Sequence, residues 1–99
     1  MARILIVEDD PQMREMLAFR LMKAGYEVNE AKDGDEGLMR ALRRPKLIIM
    51  DIRLPKIDGW ELCRQLKAEP RTQQIPILML TGCAQDCQEV YGRKCGADA

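Results

Sequence analysis

The chain has 99 residues, 46% of them hydrophobic, which suits one domain at the small end of the usual range with one core. Its 16 basic and 16 acidic side chains cancel to a formal net charge of zero, and no basic stripe of the kind that binds nucleic acid is present. With no histidine, the chain is not a phosphohistidine carrier, a Ser-His-Asp hydrolase or a His-ligated metalloenzyme.

Arg3-Ile4-Leu5-Ile6-Val7 is a continuous apolar run, as expected of a strand buried on both faces. It stops at Glu8, too soon for a signal peptide, so the expected compartment is the cytosol. No apolar run, 47–50 and 77–80 included, approaches a membrane span, and no membrane partner is expected. Asp10 and Pro11 supply an N-cap and a first-turn proline. Met13, Met16, Leu17, Leu21 and Ala24 then recur at helical spacing until Gly25 closes the helix. Tyr26, Glu27, Val28 and Asn29 alternate, which predicts a strand at a sheet edge. Asp33, with Glu36 following it, reads as an acidic capping box for a second helix carrying Leu38, Met39, Ala41 and Leu42. The cluster Arg43, Arg44 and Lys46 reads as its solvated end.

Residues 47–50 repeat the buried-strand pattern, a loop runs from Leu54 to Gly59, and 60–68 is a helix with Leu62, Cys63 and Leu66 inward. A fourth strand is predicted over 75–80, with Pro76 tolerable only near its start. A weaker helix is predicted over 85–95, anchored by Val90 and Tyr91. Cys63, Cys83, Cys87 and Cys95 match no paired C-x-x-C zinc pattern. Cys83 and Cys87 can share a helix face, which leaves a metal or redox pair open; small apolar filler in a reducing compartment is the preferred reading.

Alternating strands and helices with buried strands predict an α/β fold, a parallel sheet with helices on both faces. Ligands of such sheets sit beyond the carboxyl ends of the strands. Glu8, Asp9 and Asp10 follow the first strand, Asp51 the third and Thr81 the fourth. Carboxylates gathered at one end of a sheet repel one another and favour a hard divalent counter-ion, for which magnesium with its oxygen ligands is the natural choice. Asp10 is better used as a helix cap and is left out of the metal set. Glu8 and Asp9 alone would be explained by the positive helix N-terminus. Asp51 is not, because a loop follows it.

Three stretches resemble the signatures of bacterial response-regulator receiver domains: Ile4-Leu5-Ile6-Val7-Glu8-Asp9-Asp10, Leu47-Ile48-Ile49-Met50-Asp51-Ile52-Arg53-Leu54-Pro55-Lys56-Ile57-Asp58-Gly59, and Ile77-Leu78-Met79-Leu80-Thr81-Gly82. The resemblance covers residues 1–99 as one receiver domain. It implies a flavodoxin-like, doubly wound parallel sheet of order 2-1-3-4-(5), with the fifth strand and last helix absent from this chain. It further implies that Asp51 is the phosphoacceptor, and that Asp9 and Asp51 ligate Mg2+ directly. Glu8 acts mainly through a metal-bound water, the Arg53 carbonyl completes the protein ligands, and Thr81 is the switch hydroxyl. Gly82 leaves access to Asp51, while Pro55 and Gly59 shape the bounding loop.

The chain ends at Gly96-Ala97-Asp98-Ala99, where the family enters its fifth strand. The aromatic switch residue, the phosphoryl-pairing lysine and the final helix are therefore expected to lie outside it, and a piece of a longer protein is preferred over a truncated receiver. Lys56 and Arg53 lie near the site on the wrong loop to replace that lysine. With strand 4 as an edge, the isolated chain is expected to be unstable, aggregated or paired as a dimer through that strand. The leading expectation is a two-component receiver. It would take its phosphoryl group from a sensor histidine kinase or phosphotransfer protein and act on an output domain or effector. It would be no enzyme beyond its own phosphorylation and dephosphorylation. The alternative is a phosphorylation-independent interaction module. A small phosphatase is disfavoured, since no separate general acid or substrate pocket is evident.

Overall fold

The computed structural model describes residues 2–54 and 57–80. The buried-strand patterns become β1 (Arg3–Val7), β2 (Glu27–Ala31), β3 (Leu47–Asp51) and β4 (Ile77–Leu80). The amphipathic segments become α1 (Pro11–Lys23), α2 (Gly34–Ala41) and α3 (Gly59–Ala68). The strands form one sheet in the order β2-β1-β3-β4, every pair parallel, as the resemblance implied for these four. Parallel strands need helical crossovers, and each connection between them contains one of the three helices.

Alternation divides each strand between two faces. Leu5, Val7, Ile48, Met50, Ile77 and Met79 join Ala41, Leu62, Cys63 and Leu66 in the main core, so α2 and α3 cover that face. Ile4, Ile6 and Ile49 are buried on the other face, where α1 lies against β1 and β2. Each fully buried Leu or Ile contributes roughly 1.5–3 kcal/mol relative to exposure.

The caps follow the sequence. Asp10 accepts from Gln12 N at 3.1 Å, with Pro11 opening α1. Gly25 adopts φ 99°, the left-handed conformation that ends a helix, and its N–H reaches the Met22 carbonyl at 3.0 Å. Asp33 accepts from Glu36 N at 2.9 Å, while Glu36 Oε1 accepts from Lys32 N, one residue before the cap, at 3.2 Å. Asp58, read from the sequence as part of a loop, also proves to be a cap: it accepts from Glu61 N at 2.8 Å, and α3 starts one residue earlier than expected.

Several expectations need correction. β2 runs Glu27–Ala31 and leaves out Tyr26, because its ladder is set by pairing with all of β1. β4 begins at Ile77; Pro76 stands before it and contributes only its carbonyl, which accepts from Ile48 N at 2.9 Å. Met13 and Met16 of the predicted inward stripe are exposed, as are Phe19 and Met22. Only Ala18 of α1 is buried: among the described residues this helix packs mainly on β1 and β2, without the helix–helix packing that joins α2 to α3 on the other face. In α2 the inward set is Gly34, Gly37, Leu38 and Ala41, a clean helical stripe that leaves Met39 73% exposed and Leu42 outside. The helix expected over 85–95, together with Thr81, Gly82, Pro55 and Lys56, lies outside the described residues.

Candidate metal and phosphoacceptor site

The register of β1 and β3 builds the site. Val7 pairs with Met50, so the next residues, Glu8 and Asp51, emerge side by side at the carboxyl end of the sheet. Glu8 extends the ladder by one bond, its N–H donating to the Ala31 carbonyl at 2.9 Å. Asp9 follows on the exposed rim. Glu8, Asp9 and Asp51 each bring one carboxylate oxygen within 4.8 Å of the other two. Asp10 is turned to its capping bond and stands apart from this trio.

Burial and charge act together on Glu8. Its side chain is buried, the residue only 4% exposed, and Oε2 has no hydrogen-bond partner among the described residues. Loss of solvation raises its pKa from 4.5 to about 7. The neighbouring Asp51 charge and hydrogen bonding with Asp51 and Asp9 push the same way, against a smaller opposing effect of the Asp10 backbone. An unpartnered buried carboxylate oxygen beside two more acids is costly in isolation. The donor set, all oxygen and acidic, fits a hard divalent cation.

The backbone around Asp51 is tightly set. Arg53 N donates to Asp51 Oδ1 at 3.2 Å in an Asx-type turn that orients the carboxylate. Gly59 N donates to the Ile52 carbonyl at 2.7 Å. A Cβ on Gly59 would stand 2.3 Å from the Asp51 carbonyl oxygen and 2.7 Å from Ile52 Cα, so glycine is required by the close approach of α3 to β3. Gly59 thus serves the site as the first residue of a helix, rather than within the loop where the sequence placed it.

Sequence reasoning missed two residues. Arg14, in the first turns of α1, donates from Nη1 to the Glu8 carbonyl at 2.8 Å and pairs through Nε with Glu30 Oε1 at 3.3 Å. An arginine beside the helical stripe gives no sign that it folds back over a strand end. Thr72, buried in the turn after α3, donates to the Leu66 carbonyl at 2.6 Å. Its neighbours Arg71, Gln73 and Gln74 are polar and exposed, which hides it in the sequence.

The model of the response regulator receiver domain family matches residues 4–99. The chain belongs to this family. Among curated receiver-containing relatives, the DNA-binding dual master transcriptional regulator RpaA of Synechocystis is 42% identical over 99% of this chain and 41% of its own length. The alkaline phosphatase synthesis regulator PhoP of Bacillus subtilis is 40% identical over 97% of this chain and 40% of its own. The chain therefore spans about two fifths of the length of these relatives. Among solved receivers, the chemotaxis response regulator CheY4 of Vibrio cholerae superposes with a TM-score of 0.91 at 36% identity, covering 98% of this chain and 82% of that one. The response regulator TrrA of Thermotoga maritima, solved in complex with Mg2+ and BeF, gives 0.87 at 31% identity over 99% and 83%. The fold class is that of these CheY-like, flavodoxin-type receivers. None of the helices among the described residues is long and apolar enough to cross a membrane.

Proposed function

We propose that this receiver is the phosphoacceptor of a two-component system, taking a phosphoryl group onto Asp51 from a sensor histidine kinase or phosphotransfer protein in the cytosol. The supporting observation is the placement of Asp51 at the end of β3, in register beside buried Glu8 and within the three-carboxylate cluster. Asp9 and Asp51 would ligate Mg2+ directly, Glu8 through a water, and Arg53 through its carbonyl. The ion, when bound, supplies charge neutralisation to the carboxylates and the phosphoryl oxygens. Its affinity should be millimolar, on the order of 4 kcal/mol.

An Asp51 oxygen then attacks the phosphorus of the donor. An acyl phosphate forms as the bond to the donor's leaving group breaks. The Asx-type turn at Arg53 and the Gly59 contact keep Asp51 oriented for that approach. Thr81 is the hydroxyl that turns toward the new dianion, which biases a two-state surface read by an output domain or effector. The chain acts on its own Asp51 and on no external substrate. The transcriptional relatives suggest an output beyond the matched segment, with any contact to DNA made there and not through this domain. Incubation with acetyl phosphate and magnesium, followed by hydroxylamine, tests the chemistry. An acyl phosphate is released by hydroxylamine, whereas a modification that resists it is a phosphoester and contradicts this reading.

A further inference from the structure

Glu8 carries the most buried carboxylate of the site, and its backbone is held from two sides. Its N–H is tied to Ala31 of β2 at 2.9 Å, and its carbonyl to Arg14 Nη1 at 2.8 Å. Arg14 is itself braced, because its Nε faces Glu30 Oε1 at 3.3 Å, and Glu30 lies on the same strand as Ala31. One guanidinium thus joins α1, the residue just past β1, and the edge strand β2. The arginine side chain is 19% exposed and that of Glu30 41%, so the bond to the Glu8 carbonyl is the better shielded of the two. A planar guanidinium can serve both acceptors at once, which a lysine ammonium on a flexible stem cannot do with the same geometry.

We propose that Arg14, oriented by Glu30, is a positioning residue of the metal site: it fixes the Glu8–Asp9 peptide so that their carboxylates converge with Asp51. The inference rests on the magnesium site proposed above. It touches no ligand oxygen; it acts through the main chain. The sign of its effect separates this role from simple charge. A cation beside an acidic site repels Mg2+, so deleting it should tighten binding if charge were its whole contribution. Loss of positioning works in the opposite direction, because supporting contacts of this kind typically control metal affinity by about tenfold or more.

Isothermal titration of the whole protein with magnesium chloride decides between them, with wild type, Arg14→Met, Arg14→Lys and Thr72→Val compared. Thr72→Val removes a buried hydrogen bond far from the site and serves as a matched loss of stability. Positioning predicts a Kd raised on the order of tenfold in Arg14→Met, raised also in Arg14→Lys, and unchanged in Thr72→Val. An unchanged or lowered Kd in Arg14→Met overturns the inference. So does a wild-type Kd in Arg14→Lys, which would show that the planar guanidinium serving both acceptors is not what holds the Glu8–Asp9 peptide in place. Equal weakening in Thr72→Val overturns it too, by tracing the effect to general destabilisation. If Arg14→Met does not fold, Arg14→Lys against Thr72→Val carries the same decision. A wild-type protein that binds no magnesium would instead overturn the functional reading beneath it.

Discussion

Glu8 and Asp51 are neighbours because Val7 and Met50, the residues before them, are register partners across β1 and β3. The burial of Glu8, aided by that adjacency, holds its carboxyl at a pKa of about 7 against an ordinary 4.5. An unfolded chain releases this proton at lower pH than the folded one does, so between these values the folded state binds more protons. Stability contributed by protonated Glu8 is therefore present at low pH and is lost as pH rises through about 7. In metal-free buffer, Glu8→Gln should match wild type near pH 4.5 and melt higher than wild type at pH 8. Parallel melting curves across this range would show that Glu8 is not held protonated. Added magnesium should release protons near neutral pH and recover wild-type stability at pH 8.

Gly59 carries the second prediction. An alanine Cβ would lie 2.3 Å from the Asp51 carbonyl oxygen and could be accommodated only if α3 or the end of β3 moved. Overpacking against backbone costs about 1–3 kcal/mol, and here the displaced backbone belongs to the phosphoacceptor. Gly59→Ala should lower the melting temperature and slow phosphorylation of the folded fraction together. Wild-type rates in a destabilised variant would separate the helix contact from the site.

A third prediction lies at the opposite end of the sheet and should leave the chemistry alone. Arg44 ends the turn after α2 with φ 58°, a left-handed conformation that carries a steric cost for any side chain. Arg44→Gly should stabilise the fold by about 0.5–1 kcal/mol, after allowing for glycine's greater freedom when unfolded. Chemical denaturation measures this, and a loss of stability would mean that the arginine side chain makes up for its strained backbone.

The strands and caps were legible because each depends on local chemistry. Continuous apolar runs mark β1 and β3, and Asp10 and Asp33 cap helices through their own side chains, whereas Asp58, read as loop, proved to be a third such cap. The acidic trio was legible as residues placed just past strands, although only the β1–β3 register shows why Glu8 and Asp51 meet. Exposure of Met13, Met16 and Met39 was not legible, since apolar spacing along a helix does not reveal how much sheet lies beneath it. Arg14 escaped for a related reason: its two acceptors, the Glu8 carbonyl and Glu30, belong to separate segments brought together only by the fold. Thr72 was hidden by its exposed polar neighbours, and nothing local announces that its hydroxyl closes onto Leu66.

Intact-mass spectrometry after treatment with acetyl phosphate and magnesium, with wild type and Asp51→Asn compared in the whole protein, reads out phosphorylation of Asp51 itself. Wild type should gain one phosphoryl group, dependent on magnesium, and Asp51→Asn none. A phosphoryl group that persists on Asp51→Asn would contradict the assignment of Asp51 as the phosphoacceptor.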